Sequence, residues 1–235
     1  MSYSRKPFSI IYEDNHLLVV NKASGVLVQG DSTGDIPLVE QCKQFIKEKY
    51  HKPGEVFLGV VHRIDRPVSG VVVLARTSKA LERMNALFRE READKTYWAI
   101  VKNKPLRSEG TLVHWLVKDE AKNKTTAFKN ETQGALRSEL SYATIGSVDD
   151  QWLLEIKPVT GRSHQIRVQL ASIGSIIVGD VKYGYDQPAT DGSIYLHARK
   201  LSFIHPVKKE PVSFEAPLPD TGMWKYFAKF GERQI

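Results

Sequence analysis

The segment "GVVHRIDRPVSGVVVLAR", residues 59–76, places charged side chains between two apolar runs. The runs at 60–61 and 71–74 are rich in valine and predict strands that enter a hydrophobic core. The second run lacks polar alternation, which is typical of a strand covered on both faces. Between the runs lie His62, Arg63 and Asp65, with Arg66 next. Because burying an unpaired charge costs several kcal/mol, the segment predicts that Asp65 has a cationic partner and a specific use.

The chain is basic and contains one cysteine. Its 235 residues include 34 Lys and Arg against 27 Asp and Glu, which gives a formal net charge of +7 at pH 7. This charge favours a polyanionic partner, RNA or DNA, although a basic protein without such a partner is the alternative. The single cysteine, Cys42, excludes an intrachain disulfide and fits a reducing compartment. No stretch of the sequence has the length and apolarity of a membrane span, and we expect a cytoplasmic protein.

Hydrophobic periodicity predicts helices at residues 37–50, 77–92 and 163–174. Residues 16–30 predict a strand, a turn at Ser24-Gly25 and a second short strand. After residue 95 the pattern changes to short strands separated by turns, which favours antiparallel pairing. We therefore expect an α+β fold: a single domain over residues 1–235, built on a mixed, mainly antiparallel sheet flanked by helices and loops.

Several kinds of site are excluded by the absence of their motifs. The sequence contains no phosphate-binding loop of the Walker type, no GxGxxG, no GxSxG, and no HExxH or comparable metal spacing among its seven histidines. Three polar sets in apolar or glycine-rich surroundings remain: HRID (62–65), GRSHQIR (161–167) and YLHA (195–198).

Asp65 has two interpretations on the residues alone. It can form a structural ion pair, for which arginine is the best partner because a guanidinium binds a carboxylate through two hydrogen bonds. It can also act as a nucleophile or as an electrostatic stabiliser of a reaction. The sequence shows no second carboxylate in similar surroundings, which disfavours a glycosidase that needs two.

Five segments together resemble the RluA-type pseudouridine synthases. HRIDRPVSG (62–70) resembles the HRLDxxTSG signature of that family. The other four resemble its first motif, its tyrosine segment, its third motif and its C-terminal signature; they are YEDNHLLVVNKASGVLV (12–28), DKTYWAIV (94–101), GRSHQIRVQLASIGSIIVGDVKYG (161–184), and YLHARKLSFIHP with FEAPLP (195–219). The resemblance runs in order from about residue 9 to residue 219 and covers nearly the whole chain.

This resemblance implies an isomerase that detaches the uracil of a uridine in RNA, rotates it and rejoins it through carbon 5. It also implies that the enzyme needs neither a metal ion nor an organic cofactor. It assigns catalytic roles to Asp65, Tyr97 and Arg167, and it implies that Arg63 displaces the target base from the RNA. Arg167 is then the expected partner of Asp65, and Tyr97 offers a flat face on which the uracil can stack. The sequence leaves open whether Asp65 attacks the sugar or the base, and which group moves the proton on carbon 5.

Other residues of these motifs are expected to contact RNA or to support the site: His62, Arg162, His164 and Gln165, with Lys22, His197 and Arg199 as weaker candidates. The sequence departs from the family at Ala23, where proline is usual, at Pro67-Val68, and at Gln169, where histidine is frequent. These departures bear on turn rigidity or substrate choice, since none of them replaces the expected nucleophile.

The partner that the resemblance implies is RNA, either tRNA or large-subunit rRNA. We expect no membrane, no protein partner and a monomer. The first motif begins near residue 9, so we expect no separate RNA-binding domain before it. Two alternatives stay open: an RNA-binding protein on the same fold without catalysis, and an N-glycosidase or base-excision enzyme.

Overall fold

The computed structural model of the protein describes residues 6–31 and 33–231. The strands in chain order are β1 (Phe8–Glu13), β2 (Leu17–Lys22), β3 (Gly59–Val60), β4 (Ser69–Ala75), β5 (Asp94–Val101), β6 (Glu109–Asp119), β7 (Lys124–Phe128), β8 (Leu136–Val148), β9 (Gln151–Pro158), β10 (Leu196–Ile204) and β11 (Pro211–Glu215). The α-helices of this part of the chain are α1 (Leu38–Lys49), α2 (Ser78–Arg89), α3 (Gln165–Ser172) and α4 (Trp224–Phe227). This content confirms the predicted α+β class and the three predicted helices.

The chain divides into two compact units. Unit 1 comprises residues 1–94 and 198–217, and unit 2 comprises residues 95–197 and 218–235. The single catalytic domain over residues 1–235 that the sequence suggests stays a prediction.

The sheet of unit 1 has the strand order β1-β2-β4-β10, with β3 also paired to β4 and β11 paired to β10. The pairs β1–β2, β2–β4, β3–β4 and β10–β11 are antiparallel. All seven residues of β4 are buried, as its unbroken apolar sequence predicts. This strand therefore forms the centre of the unit and fixes the position of the polar loop that precedes it.

Glycine is required at position 70 for the packing of β4. Gly70 has φ of +119°, and a Cβ atom there would lie 2.2 Å from the carbonyl oxygen of Ala198 on β10. A contact that short is sterically impossible without a shift of one main chain. The glycine in the sequence VSGVVV thus permits the close approach of two strands.

Helix α2 covers one face of this sheet. Thr77 caps the helix because its side-chain oxygen accepts a hydrogen bond from the Ala80 amide, at 3.1 Å. Met84 and Leu87 of the helix belong to the buried cluster that also contains Leu17, Val19, Val71, Val73, Ala93, Leu201, Phe203, Phe214 and Ala216. The apolar stripe that predicted this helix is therefore core packing.

The predicted short strand at residues 26–30 is wrong. In its place the carbonyls of Leu27 and Val28 accept hydrogen bonds from the amides of Leu38 and Val39, at 2.7 and 3.3 Å. These carbonyls satisfy amides at the start of α1 that have no partner within the helix. The segment is used to begin a helix, and it is not available to pair with a strand.

The sheet of unit 2 has the strand order β5-β9-β8-β6-β7, and these neighbours pair antiparallel. Helix α3 packs against β6 and β7 on one face. Trp224 and Phe227 of α4 pack against Trp98, Ile100, Leu153 and Val178. Within residues 6–31 and 33–231, no helix has both the length and the apolarity to cross a membrane.

Candidate active site

The loop between β3 and β4 carries the HRID motif. Ile64 and Val68 are buried, which anchors the loop on both sides of Asp65. The main-chain carbonyl of Asp65 accepts a hydrogen bond from the Val68 amide at 3.0 Å, closing a turn directly after it. Asp65 itself is half-buried. The loop therefore holds one carboxylate at a fixed place on the surface of unit 1.

The two residues at the start of this motif have different surroundings. The imidazole of His62 stacks on the ring of Phe88, with 4.8 Å between the ring centroids and 16° between the planes. Its Nε2 accepts a hydrogen bond from the Val73 amide at 3.1 Å, so His62 ties the loop to α2 and β4. Arg63 is exposed, and its side chain forms no hydrogen bond or ion pair with any residue that the structure describes.

Lys22 lies beneath this loop at the end of β2. It is fully buried, and its Nζ donates to the carbonyls of Ala23, Val26 and Arg66 at 2.9, 2.8 and 3.2 Å. Burial lowers the pKa of Lys22 to about 7, and the negative charge of Asp65 opposes that shift. Lys22 is thus a candidate that the structure places in the electrostatic environment of Asp65.

Tyr97 lies in unit 2, on the strand β5. It is half-buried and stands opposite Ile156 of β9, which in turn stands opposite Tyr142 of β8. Since opposite residues in a sheet point to the same side, Tyr97 faces the side that carries Ser138. The side chain of His114, which stands opposite Ser138, lies 3.1 Å from Nε2 of Gln169 on α3, so this is the side that α3 covers.

Arg167 of α3 is buried and forms a two-pronged ion pair. Its Nε and Nη2 donate to the two carboxylate oxygens of Asp180, at 2.7 and 2.8 Å. The guanidinium carbon also lies 5.1 Å from the ring centroid of Tyr183. The sequence reasoning missed Asp180 as a partner. The pairing of Arg167 with Asp65, which the resemblance implies, concerns residues of different units and stays a prediction.

Tyr183 is a second residue that the sequence reasoning missed. Its hydroxyl accepts a hydrogen bond from the Thr125 amide at 2.9 Å and lies 2.8 Å from Nδ1 of His164. Burial raises the pKa of Tyr183, so the phenol stays neutral at physiological pH. His164 precedes α3 with φ of +53° and is held edge-to-face against Tyr183. Tyr183 therefore positions both a histidine and an arginine of the third motif.

Gln165 and Arg162 of the same motif also differ in their surroundings. Gln165 is buried; its Oε1 accepts from Thr160 Oγ1 and from the Arg162 amide, at 2.8 and 3.0 Å, and its Nε2 donates to the Glu139 carbonyl at 3.0 Å. These bonds shape the turn before α3. The side chain of Arg162 is exposed and has no hydrogen bond or ion pair within the described part of the chain.

Gln169, at which the sequence departs from the motif it resembles, is a buried residue of α3. Its Nε2 donates to the carbonyls of Leu112 and Ser138, at 3.2 and 3.4 Å, and lies 3.1 Å from Nδ1 of His114. Glutamine here joins α3 to β6 and β8.

Among residues 6–31 and 33–231, no three His, Cys, Asp or Glu side chains are placed to hold a metal ion.

Comparison with known proteins places these motifs in a family. The family model for RNA pseudouridylate synthase matches residues 16–172. The ribosomal large subunit pseudouridine synthase C of Vibrio cholerae serotype O1 is 32% identical over 222 residues, which cover 89% of this chain and 65% of that protein. The ribosomal large subunit pseudouridine synthase D of Zymomonas mobilis is 33% identical over 223 residues, covering 91% of this chain and 70% of that protein.

A solved structure of a human protein, RNA Pseudouridylate Synthase Domain Containing 4, has a TM-score of 0.76 at 25% identity and covers 94% of this chain and 90% of that chain. This chain spans 65% of the length of its relative from Vibrio cholerae. The match of the family model, the identity to the curated relatives and the shared fold agree, and the chain belongs to the RluA-type family of RNA pseudouridylate synthases.

Proposed function

We propose that the protein converts a uridine in RNA to pseudouridine, with Asp65 as the nucleophile. The observation that carries this proposal is the loop of unit 1. It holds a half-buried carboxylate between two buried residues and beside an exposed Arg63, whose side chain has no partner among the residues that the structure describes. A nucleophile must be fixed in place, and a residue that displaces a base must be free to move into the RNA. Asp65 and Arg63 have these two properties.

The remaining roles follow from the family to which the chain belongs. The bond between carbon 1′ of the ribose and nitrogen 1 of uracil breaks, and a bond from carbon 1′ to carbon 5 forms. Carbon 5 loses a proton and nitrogen 1 gains one, so the reaction consumes no second substrate. In this proposal Tyr97 stacks on the uracil and Arg167 stabilises the anionic Asp65.

We propose large-subunit rRNA as the substrate, with tRNA as the alternative. The names of the relatives from Vibrio cholerae and Zymomonas mobilis support the former. Arg162, whose side chain is exposed and unpaired among the described residues, is proposed to bind a phosphate of this RNA. His62, His164 and Gln165 are proposed to support the site through the contacts described above. We further propose that the protein works in the cytoplasm as a monomer, without a metal ion or cofactor.

The test is tritium release from RNA labelled at carbon 5 of uridine. The wild-type protein is expected to release tritium, and Asp65→Asn is expected to release none because an amide is not a nucleophile of this kind. Asp220→Asn is the matched control, since Asp220 is an exposed aspartate of unit 2 paired only loosely to Lys225, at 3.7 Å.

Three results would contradict the proposal in different ways. Release that persists in Asp65→Asn would reject the role of this carboxylate. Binding of RNA without release by the wild-type protein, on total cellular RNA lacking the modification, would favour an RNA-binding protein. Free uracil or an abasic product would instead indicate an N-glycosidase.

A further inference from the structure

The two arginines that flank Asp65 differ in their charge environment. Arg63 is exposed and has no partner among the described residues. Arg66 is also exposed, by 46% of its side chain, but its Nη2 lies 2.6 Å from a carboxylate oxygen of Asp35. An RNA-modifying site would be expected to leave both cations available for phosphates. The neutralisation of only one of them needs an explanation.

The structure fixes Arg66 at its main chain and along its side chain. Its carbonyl accepts hydrogen bonds from the Gly25 amide at 2.8 Å and from the buried Nζ of Lys22 at 3.2 Å. Its Nε donates to the Gly25 carbonyl at 3.0 Å. These bonds hold the main chain and Nε of Arg66 in place, so its terminal nitrogen Nη2 is left to bind an anion. A pre-oriented guanidinium loses less conformational freedom when it binds.

The anion that now occupies Nη2 of Arg66 is easily displaced. The side chain of Asp35 is 52% exposed, so water and salt screen its attraction to Arg66. A second carboxylate, that of Asp31, also feels the positive charge of Arg66. The phosphate of an RNA binds arginine with the same two-pronged geometry as a carboxylate. A bound RNA brings many phosphates at once, and it can therefore replace Asp35.

Resting on the proposed function, we propose that Arg66 binds a backbone phosphate of the substrate RNA and that Asp35 occupies Arg66 in the free protein. The carboxylate then weakens the binding of RNA that does not place a phosphate at this point. This arrangement would reduce unproductive binding beside the nucleophile at a small cost in affinity for the substrate.

The experiment measures the binding of a short fluorescein-labelled oligouridylate by anisotropy, at several salt concentrations. Asp35→Asn frees Arg66 and is expected to bind about threefold more tightly, with a steeper dependence on salt. Arg66→Gln is expected to bind about threefold more weakly than wild type, with a shallower dependence. The double variant is expected to match Arg66→Gln, because Asp35 acts only through Arg66.

The matched control is Glu55→Gln, which removes the same charge from an exposed pair of unit 1, at 3.7 Å from Lys47. It is expected to bind like wild type. The proposal is overturned if Asp35→Asn binds no more tightly than wild type or no more tightly than Glu55→Gln, or if its effect persists in the Arg66→Gln background. A wild-type protein that does not bind the oligouridylate at low salt overturns it as well.

Tritium release separates this inference from the proposed function. If the order of affinities holds but no preparation releases tritium, the reaction is rejected and Arg66 remains an RNA-binding residue. If the wild-type protein releases tritium but Asp35→Asn does not change its affinity, the role of Arg66 is rejected and the reaction stands.

Discussion

At the scale of single residues, Lys22 connects the stability of unit 1 with the electrostatics of Asp65. Its ammonium group is fully buried among three carbonyls, and burial lowers the pKa of Lys22 from 10.5 to about 7. Between these two values the unfolded chain binds a proton that the folded chain does not. The free energy of unfolding therefore rises with pH between about pH 7 and pH 10.5. Below about pH 7 Lys22 is protonated in both states and does not make the free energy of unfolding depend on pH.

Lys22→Met is expected to remove this slope. Between about pH 7 and about pH 9 the wild-type protein should gain about 2 kcal/mol more stability than the variant. Urea unfolding at the two pH values measures the difference, and Lys52→Met, at an exposed lysine, is the control. Equal pH slopes in wild type and Lys22→Met would show that the buried lysine keeps its ordinary pKa.

Asp180 and Arg167 form the best-defined ion pair of unit 2. Both side chains are buried, with 1% and 6% exposure, and the carboxylate accepts two hydrogen bonds. Asp180→Asn leaves a buried guanidinium without this charge and is expected to cost about 3 kcal/mol of stability. Asp186→Asn is the control, since Asp186 pairs with Lys102 at an exposed site and should cost under about 1 kcal/mol. Similar losses in the two variants, measured by denaturant unfolding, would contradict this ranking.

The same sequence signal that identified Asp65 could have identified Asp180. Asp180 follows the apolar residues Ile176, Ile177 and Val178, and a carboxylate at the end of such a run needs a partner. The resemblance implies that Arg167 pairs with Asp65, and this pairing stays a prediction. The sequence could not predict that Asp180 would supply a carboxylate to Arg167, because that contact depends on how the turn after α3 folds back. Tyr183 was missed for the same reason.

At the scale of elements, β4 is the strand whose sequence is most constrained. Gly70→Ala would place a Cβ atom 2.2 Å from the Ala198 carbonyl oxygen, at φ of +119°. The main chains of β4 and β10 must then separate, and we expect a loss of about 3 kcal/mol or more. Gly54→Ala is the control, because a Cβ atom there meets nothing within 4 Å. Urea unfolding of both variants tests the prediction, and a loss below about 1 kcal/mol for Gly70→Ala would contradict it.

Elements with a clear period were predictable, and short irregular ones were not. Helices α1, α2 and α3 were predicted because their apolar residues recur at helical spacing. The wrong strand at residues 26–30 is apolar enough to be one, but its carbonyls are used by the start of α1. Strand β1 was not predicted. It is half-exposed and pairs only with β2 within the strand order of the sheet, and its residues Ile10, Ile11 and Tyr12 are consecutive, without the polar alternation typical of such a strand.

At the scale of the whole molecule, the residues to which we propose roles in the reaction are divided between the two units. Asp65, Arg63 and Lys22 lie in unit 1, and Tyr97 and Arg167 lie in unit 2. The sequence assigned these residues to one site through the resemblance of ordered motifs, without any geometry. That is why the sequence predicted the family and did not predict the local partners of each residue.

The net charge of +7 favours the proposed binding of RNA, and an exposed cation contributes most where no carboxylate neutralises it. Arg162 has no carboxylate partner among the described residues, whereas Arg137 is paired with Glu139 at 2.8 Å. We expect the affinity for oligouridylate to fall at least about tenfold between about 50 and about 200 mM salt. Arg162→Gln should reduce the slope of this dependence by about one, and Arg137→Gln should change it little. An affinity that does not depend on salt would contradict the proposed role of the positive charge in binding RNA. Equal slopes for the two variants would contradict the proposed contact between Arg162 and a phosphate.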